Sequence, residues 1–226
     1  MSRVESTPIV CVVDDDPSFL RAISRRLEIA GFHVQAFNSA AAFLARPRLD
    51  TPSCAVVDLH MPDVDGLALQ EQLDAHEDPT PLVFLTGHGD VLSSVRAMKG
   101  GAVDFLTKPV SGEELIGAVV VALARDREAR RVRRRVQRAR AAFTTLTPRE
   151  REVFALATRG LLNKQIAAEL GISERTVKAH RAQVMRKMGA ASLADLVRSA
   201  ECLGIGDTVE AAAPSLRQVL GHADIA

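Results

Sequence analysis

The residues with the clearest chemical potential are acidic. Asp14, Asp15 and Asp16 stand in a row directly after the apolar run Ile9–Val13, and Asp58 lies near the end of a second run, Cys54–Leu59. Thr86 closes a third run, Leu82–Thr86, and Lys108-Pro109 follows a fourth, Val103–Leu106. If these runs are strands of one parallel sheet, their carboxyl ends share an edge, and open α/β sheets bind ligands beyond that edge. Clustered carboxylates repel one another, so such a site needs a cation. Oxygen-only ligands favour a hard ion, and Mg2+ tolerates few protein ligands plus waters. Lys108 adds a fixed positive charge, too little for three carboxylates. A carboxylate can also attack phosphorus and form an aspartyl phosphate. The metal and Lys108 would offset charge on the transferred group, and Thr86 could donate a hydrogen bond to it. Taken singly, each residue has an ordinary reading. Asp58 alone reads as a solvated turn residue, and Asp14–Asp16 as an acidic helix start before Pro17. His60 and His88 read as loop residues, and Met61-Pro62 as a turn. Gly87-His88-Gly89 lacks the spacing and lysine of a phosphate loop. The set, not any member, argues for a site.

The elements that must position these groups are legible as alternation. Ile9–Val13 is a short continuous apolar run, as expected of a strand covered on both faces. Pro17 opens a helix with Phe19, Leu20, Ile23 and Leu27 on one face, closed by Gly31. His33–Phe37 reads as a second strand, and Ser39 as the cap of a helix holding Phe43 and Leu44. Asp90 is expected to cap a helix ending near Gly100-Gly101. From Ser111 a last helix begins, with Glu113 and Glu114 near its positive end. Strands and helices in alternation predict a five-stranded parallel α/β sheet with covered faces. The flavodoxin-like strand order 2-1-3-4-5 is preferred.

Charge divides the chain. Residues 1–124 hold 9 Lys+Arg against 17 Asp+Glu, whereas residues 125–226 hold 20 against 11. Such polarity suggests two domains, the basic one facing a polyanion or merely solvated. No apolar run approaches the roughly 20 residues that span a bilayer. Three scattered cysteines argue against a disulfide framework or zinc site, and a reducing cytoplasm is expected. Arg125–Arg140 holds nine Arg and two acids without Gly, Ser or Pro, which predicts a helical linker. Positions 115, 118, 122, 125, 129, 132, 136, 139 and 143 follow a 3-4 spacing and are apolar except Arg125, a weak coiled-coil stripe.

Thr147-Pro148-Arg149-Glu150 fits a capping box, and helices are expected at 147–158, 163–170, 173–188 and 192–203. Gly171-Ile172 joins the second and third as in a helix-turn-helix. Ser173 caps the third helix, with Val177, His180, Val184 and Met188 inward. Asn163 reads as a helix cap. Across the third helix, Lys178 could reach guanine, and Ala179 and Ala182 could meet thymine methyls. Arg175, Thr176, Arg181 and Lys187 are expected phosphate clamps. The weakly patterned tail receives no function.

The motifs Val12-Val13-Asp14-Asp15-Asp16, Asp58 to Gly66, Leu85 to Asp90 and Lys108-Pro109 resemble the receiver domain of two-component response regulators, in particular the FixJ-like subgroup. Leu146–Val153, Gly160–Ala167 and Thr176–Arg181 resemble the LuxR/NarL-type DNA-binding domain. The resemblance implies a CheY-like receiver at 7–124, a linker at 125–144, an all-α four-helix helix-turn-helix domain at 145–203 and a tail at 204–226. It implies Asp58 as phosphoacceptor, served by a sensor histidine kinase. It further implies Asp14 and Asp15 as the acidic pair, with Asp15, Asp58 and the backbone carbonyl of His60 as Mg2+ ligands. It implies Thr86 and Lys108 as contacts of the phosphoryl group and Phe105 as the switch aromatic. It implies Lys178, Ala179 and Ala182 at base-reading positions. The implied partners are double-stranded DNA and a second copy as a phosphorylation-dependent homodimer, with RNA polymerase as a further partner and no membrane. His60 departs from the more usual Arg or Asn, and Phe105 from the Tyr common elsewhere. Phosphorylation is expected to draw Thr86 and Phe105 inward and remodel the face of 91–100, 103–106 and the last receiver helix. Two other readings use the same residues: a phosphorylation-independent DNA binder with a vestigial receiver, and a magnesium phosphohydrolase.

Overall fold

The computed structural model describes residues 7–87 and 91–205. The expected cap at Asp90, the motif residues His88 and Gly89, and the tail beyond 205 lie outside the described residues. The chain divides into two compact units after Arg130. No described helix is long and apolar enough to cross a membrane.

In the first unit β1 (Ile9–Val13), α1 (Pro17–Ile29), β2 (His33–Phe37), α2 (Ala40–Leu44) and β3 (Ser53–Asp58) alternate. They are followed by α3 (Gly66–Ala75), β4 (Leu82–Thr86), α4 (Val91–Lys99), β5 (Asp104–Thr107) and α5 (Gly112–Thr144). All strand pairs are parallel, in the expected order β2-β1-β3-β4-β5. Every residue of β3 and β4 is buried, which explains their apolar continuity. One sheet face carries Phe43, Leu69 and Phe84; the other carries Ile23, Leu27, Leu115, Val119 and Leu123.

Local chemistry sets the helix starts. The Asp16 carboxylate accepts the N–H groups of Ser18 and Phe19, and Pro17 needs no partner at the first helical position. Ser39 accepts from the Ala42 N–H and Asp65 from the Ala68 N–H. The third and fifth strands are each displaced one residue from the sequence expectation. β3 begins at Ser53, where pairing with β1 starts opposite Ile9. β5 reaches Thr107, which pairs with Thr86. The helix α3, which the alternation requires, has no start signal in the sequence reading; Asp65 supplies it.

The 3-4 stripe of α5 is not one continuous seam. Leu115, Ala118 and Ala122 belong to the core under the sheet, so their spacing records packing within the receiver fold. At the other end Phe143 packs in the second unit's core and meets Phe154 edge-on at 5.4 Å. Of the positions between them Arg125, Ala129, Val132 and Val136 are partly or fully exposed, and Ala139 is buried. Asp126 lies beyond residue 124 yet is 1% exposed, accepting from the Ser53 N–H at 2.8 Å and from Arg130 Nε at 2.5 Å. Packing against the sheet therefore reaches past 124.

The second unit contains α6 (Pro148–Thr158), α7 (Asn163–Leu170), α8 (Glu174–Met188) and α9 (Leu193–Leu203). Helix α8 packs against α6, α7 and α9 around Phe154, Ile166, Val177, Val184 and Leu196. The expected capping box at Thr147 and Glu150 is present. Gly171, at φ 63°, takes the left-handed conformation that ends α7 and turns the chain into α8. Asn163 is not a cap. Leu162 occupies that position, and the Asn163 side chain accepts from Arg181 at 2.9 Å.

Candidate functional site

The sheet order brings the ends of β1 and β3 side by side, with β4 and β5 next in line. Asp14 follows β1, Asp58 ends β3, Thr86 ends β4 and Lys108 follows β5. Lys108 Nζ lies 2.8 Å from Asp14 Oδ2 and 3.1 Å from Asp58 Oδ1. One ammonium thus bridges two carboxylates from different strands. The other Asp14 oxygen accepts the Asp16 N–H at 2.9 Å. Asp14, Asp58 and Thr86 are buried, whereas Asp15 and His60 are exposed.

Carboxylate oxygens of Asp14, Asp15 and Asp58 can all lie within 4.8 Å of one another. Burial pushes the Asp14 carboxyl above its ordinary range, and the hydrogen bond from Lys108 opposes that shift. Three carboxylates facing one ammonium leave excess negative charge and oxygen-only donors. That donor set fits a hard divalent cation.

The backbone behind Asp58 is tightly held. Leu59 donates to the Leu85 carbonyl at 2.8 Å, and Gly66 donates to the Leu59 carbonyl at 2.9 Å. A Cβ at Gly66 would sit 2.9 Å from both the Asp58 carbonyl oxygen and Phe84 Cε1, so only glycine fits there. Phe105, on β5, is half-buried against the core. One member of the site escapes sequence reading. The Phe19 ring lies 3.9 Å from Lys108 Nζ, a cation–π contact that helps hold the ammonium over the carboxylates. Its apolar spacing on α1 marks Phe19 only as a core-facing residue.

In the second unit α8 exposes Arg175, Thr176, Lys178, Ala179 and Ala182 together, five of the seven residues expected to face DNA. The other two differ. Arg181 is half-buried and bonded to Asn163. Lys187 Nζ donates to Glu150 Oε2 at 2.6 Å and to the Thr145 carbonyl at 3.1 Å. It therefore ties α8 to the start of α6 rather than extending toward a phosphate. The expected inward side holds, with Val177 and Val184 buried, Met188 against the core and His180 half-buried.

Both units are similar to known proteins. Residues 10–120 match the family model of the response regulator receiver domain, and residues 144–200 that of bacterial regulatory proteins, luxR family. The chain belongs to the two-component response regulators that join a receiver to a LuxR-type DNA-binding domain. It is 49% identical to nodulation protein W of Bradyrhizobium diazoefficiens over 90% of each chain. It is 43% identical to the transcriptional regulatory protein FixJ of Azorhizobium caulinodans, covering 92% of this chain and 98% of that one. Among solved structures it resembles the response regulator StyR, with a TM-score of 0.78 and 45% identity over 87% of this chain and 99% of that one. Full-length FixJ from B. japonicum gives 0.54 and 41% over 88% and 99%.

Proposed function

We propose that Asp58 accepts a phosphoryl group from a phosphorylated histidine of a sensor kinase, and that this controls sequence-specific binding to double-stranded DNA through α8. The observation that supports this most strongly is the Lys108 ammonium shared between Asp14 and Asp58. An Asp58 carboxylate oxygen attacks phosphorus, the bond from phosphorus to the donor imidazole nitrogen breaks, and the imidazole leaves with its electron pair. Lys108 moves from bridging carboxylates to offsetting the phosphoryl charge. Thr86 donates its hydroxyl to a phosphoryl oxygen, and Phe105 follows Thr86 inward. Asp14, Asp15 and Asp58, with the His60 carbonyl, would hold Mg2+, which supplies charge neutralisation at the transferred group when bound.

The apolar residues left exposed on α4, Val91, Leu92, Val95 and Met98, support dimerisation of the phosphorylated form through the α4–β5 face. Exposed Val132 on α5 supports a shorter contribution from the linker than a full stripe would give. Such a regulator works in the cytoplasm, with RNA polymerase as a further partner, and is not an enzyme toward external phosphoesters. Treatment with an acyl phosphate, followed by peptide mass mapping, solution mass and DNA affinity, tests the reading. One phosphoryl group on Asp58, with raised mass and affinity, is expected. Label elsewhere refutes the site, and unchanged mass and affinity refute the coupling.

A further inference from the structure

Past Arg130, in the second unit, α5 continues as helix through Thr144. Residues 131–140 of it contain six arginines and no acidic residue or lysine. At about 100° per residue, Arg131, Arg134, Arg135 and Arg138 fall within an arc of about 100° and extend over roughly 10 Å of helix. All four are exposed. Val132, Val136, Ala139 and Phe143 occupy a different arc, centred about 120° away round the same helix. The helix is therefore amphipathic in an unusual sense: an apolar side and an arginine ridge.

Like charges at these spacings destabilise a helix. Among the described residues the side chains of Arg134, Arg135 and Arg138 make no hydrogen bond or ion pair, so no described acidic side chain relieves the repulsion among those three. A polyanion would. Over about 10 Å of duplex axis the two strands of DNA present about six phosphates, and the guanidinium fork matches phosphate geometry in a way a lysine does not.

We propose that this ridge is a second, sequence-independent DNA contact, which grips phosphates beside the site read by α8. It rests on the reading that α8 binds DNA. The ridge adds affinity and salt dependence while leaving base preference to α8. If two copies pair through Val132 and Val136, the part of the apolar side of α5 that is not already packed, their ridges stay clear of that seam and available to the duplex.

The test uses full-length phosphorylated protein and a duplex carrying the site obtained by selection from random DNA, with about 15 flanking base pairs on each side. Dissociation constants are measured against salt for wild type, for R134Q/R135Q/R138Q, for the corresponding triple lysine variant and for K178A. The slope of log affinity against log salt is expected to fall by about 2.7 per protomer in the glutamine variant. Its affinity should weaken at least about tenfold at 150 mM salt with the selected sequence still preferred. The lysine variant should restore most of the slope, which excludes misfolding as the cause. K178A should lose sequence preference instead. An unchanged slope in a glutamine variant that still selects its site overturns the ridge alone. Failure of wild type to select any sequence overturns the α8 reading and the ridge with it.

Discussion

Lys187 separates two roles that its residue type leaves open. As a phosphate clamp it would lower the salt slope of DNA binding by about 0.9 when removed and leave folding untouched. In the structure it is a strut, holding Glu150 at 2.6 Å and the Thr145 carbonyl at 3.1 Å. Glu150 is buried, and its carboxylate also accepts the Thr147 N–H at 2.8 Å in the capping box. Substituting Lys187→Met keeps the apolar stem and removes the ammonium. Loss of a charged hydrogen bond costs about 1.5–3 kcal/mol, which lowers the melting temperature of a unit this size by on the order of 10 °C. Differential scanning calorimetry of the full chain should show the second unit's transition move and the first unit's stay. The hydrogen bond from Lys187 also holds the Glu150 carboxyl below its ordinary value of 4.5. A lowered folded value stabilises the fold above the unfolded pKa, and this is lost as pH falls below about 4.5 through the folded value. The Met variant should therefore lose less stability on acidification across that window. An unshifted transition together with a salt slope reduced by about one would refute the strut and restore the clamp.

Three further outcomes follow from the receiver edge. Gly66→Ala forces a Cβ against the Asp58 carbonyl and Phe84; it should cost about 1–3 kcal/mol in urea unfolding and slow phosphorylation, and wild-type stability would contradict the close approach. Asp14→Asn should raise the first unit's melting temperature at pH 7 in metal-free buffer. Burial raises the Asp14 carboxyl, so its contribution is favourable below the unfolded value and is lost as pH rises through the folded one. The gain should shrink toward pH 4, and a lower melting temperature at pH 7 would contradict the sign. Phe19→Leu should leave the fold stable but reduce the phosphorylation rate severalfold by loosening Lys108, measured with an acyl phosphate; an unchanged rate would show that the ring only fills space.

The sheet and its acidic edge were legible because burial on both faces leaves continuous apolar runs, and polar residues at their ends stand out. Asp14, Asp58, Thr86 and Lys108 could be assigned to one edge from that pattern with the crossover rules. The α5 stripe misleads because a helix packed on a sheet and a helix packed on a second helix share a 3-4 spacing. Only tertiary contacts show that Leu115, Ala118 and Ala122 are occupied. Lys187 and Arg181 carry the same ambiguity at residue level. A basic side chain on a helix proposed to face DNA has one signature whether it reaches solvent or turns back onto Glu150 or Asn163. Phe19 escapes because a ring facing a core and a ring facing an ammonium have the same spacing.

Chemistry at Asp58 is proposed to control DNA binding through the second unit. The most direct test compares wild type and Asp58→Asn, each with and without an acyl phosphate, for DNA affinity on one selected duplex. The predicted result is a phosphodonor-dependent gain in wild type of about tenfold or more, corresponding to about 1.4 kcal/mol of coupling, and none in the variant. Equal affinity in all four samples, or a gain that survives the substitution, would contradict it.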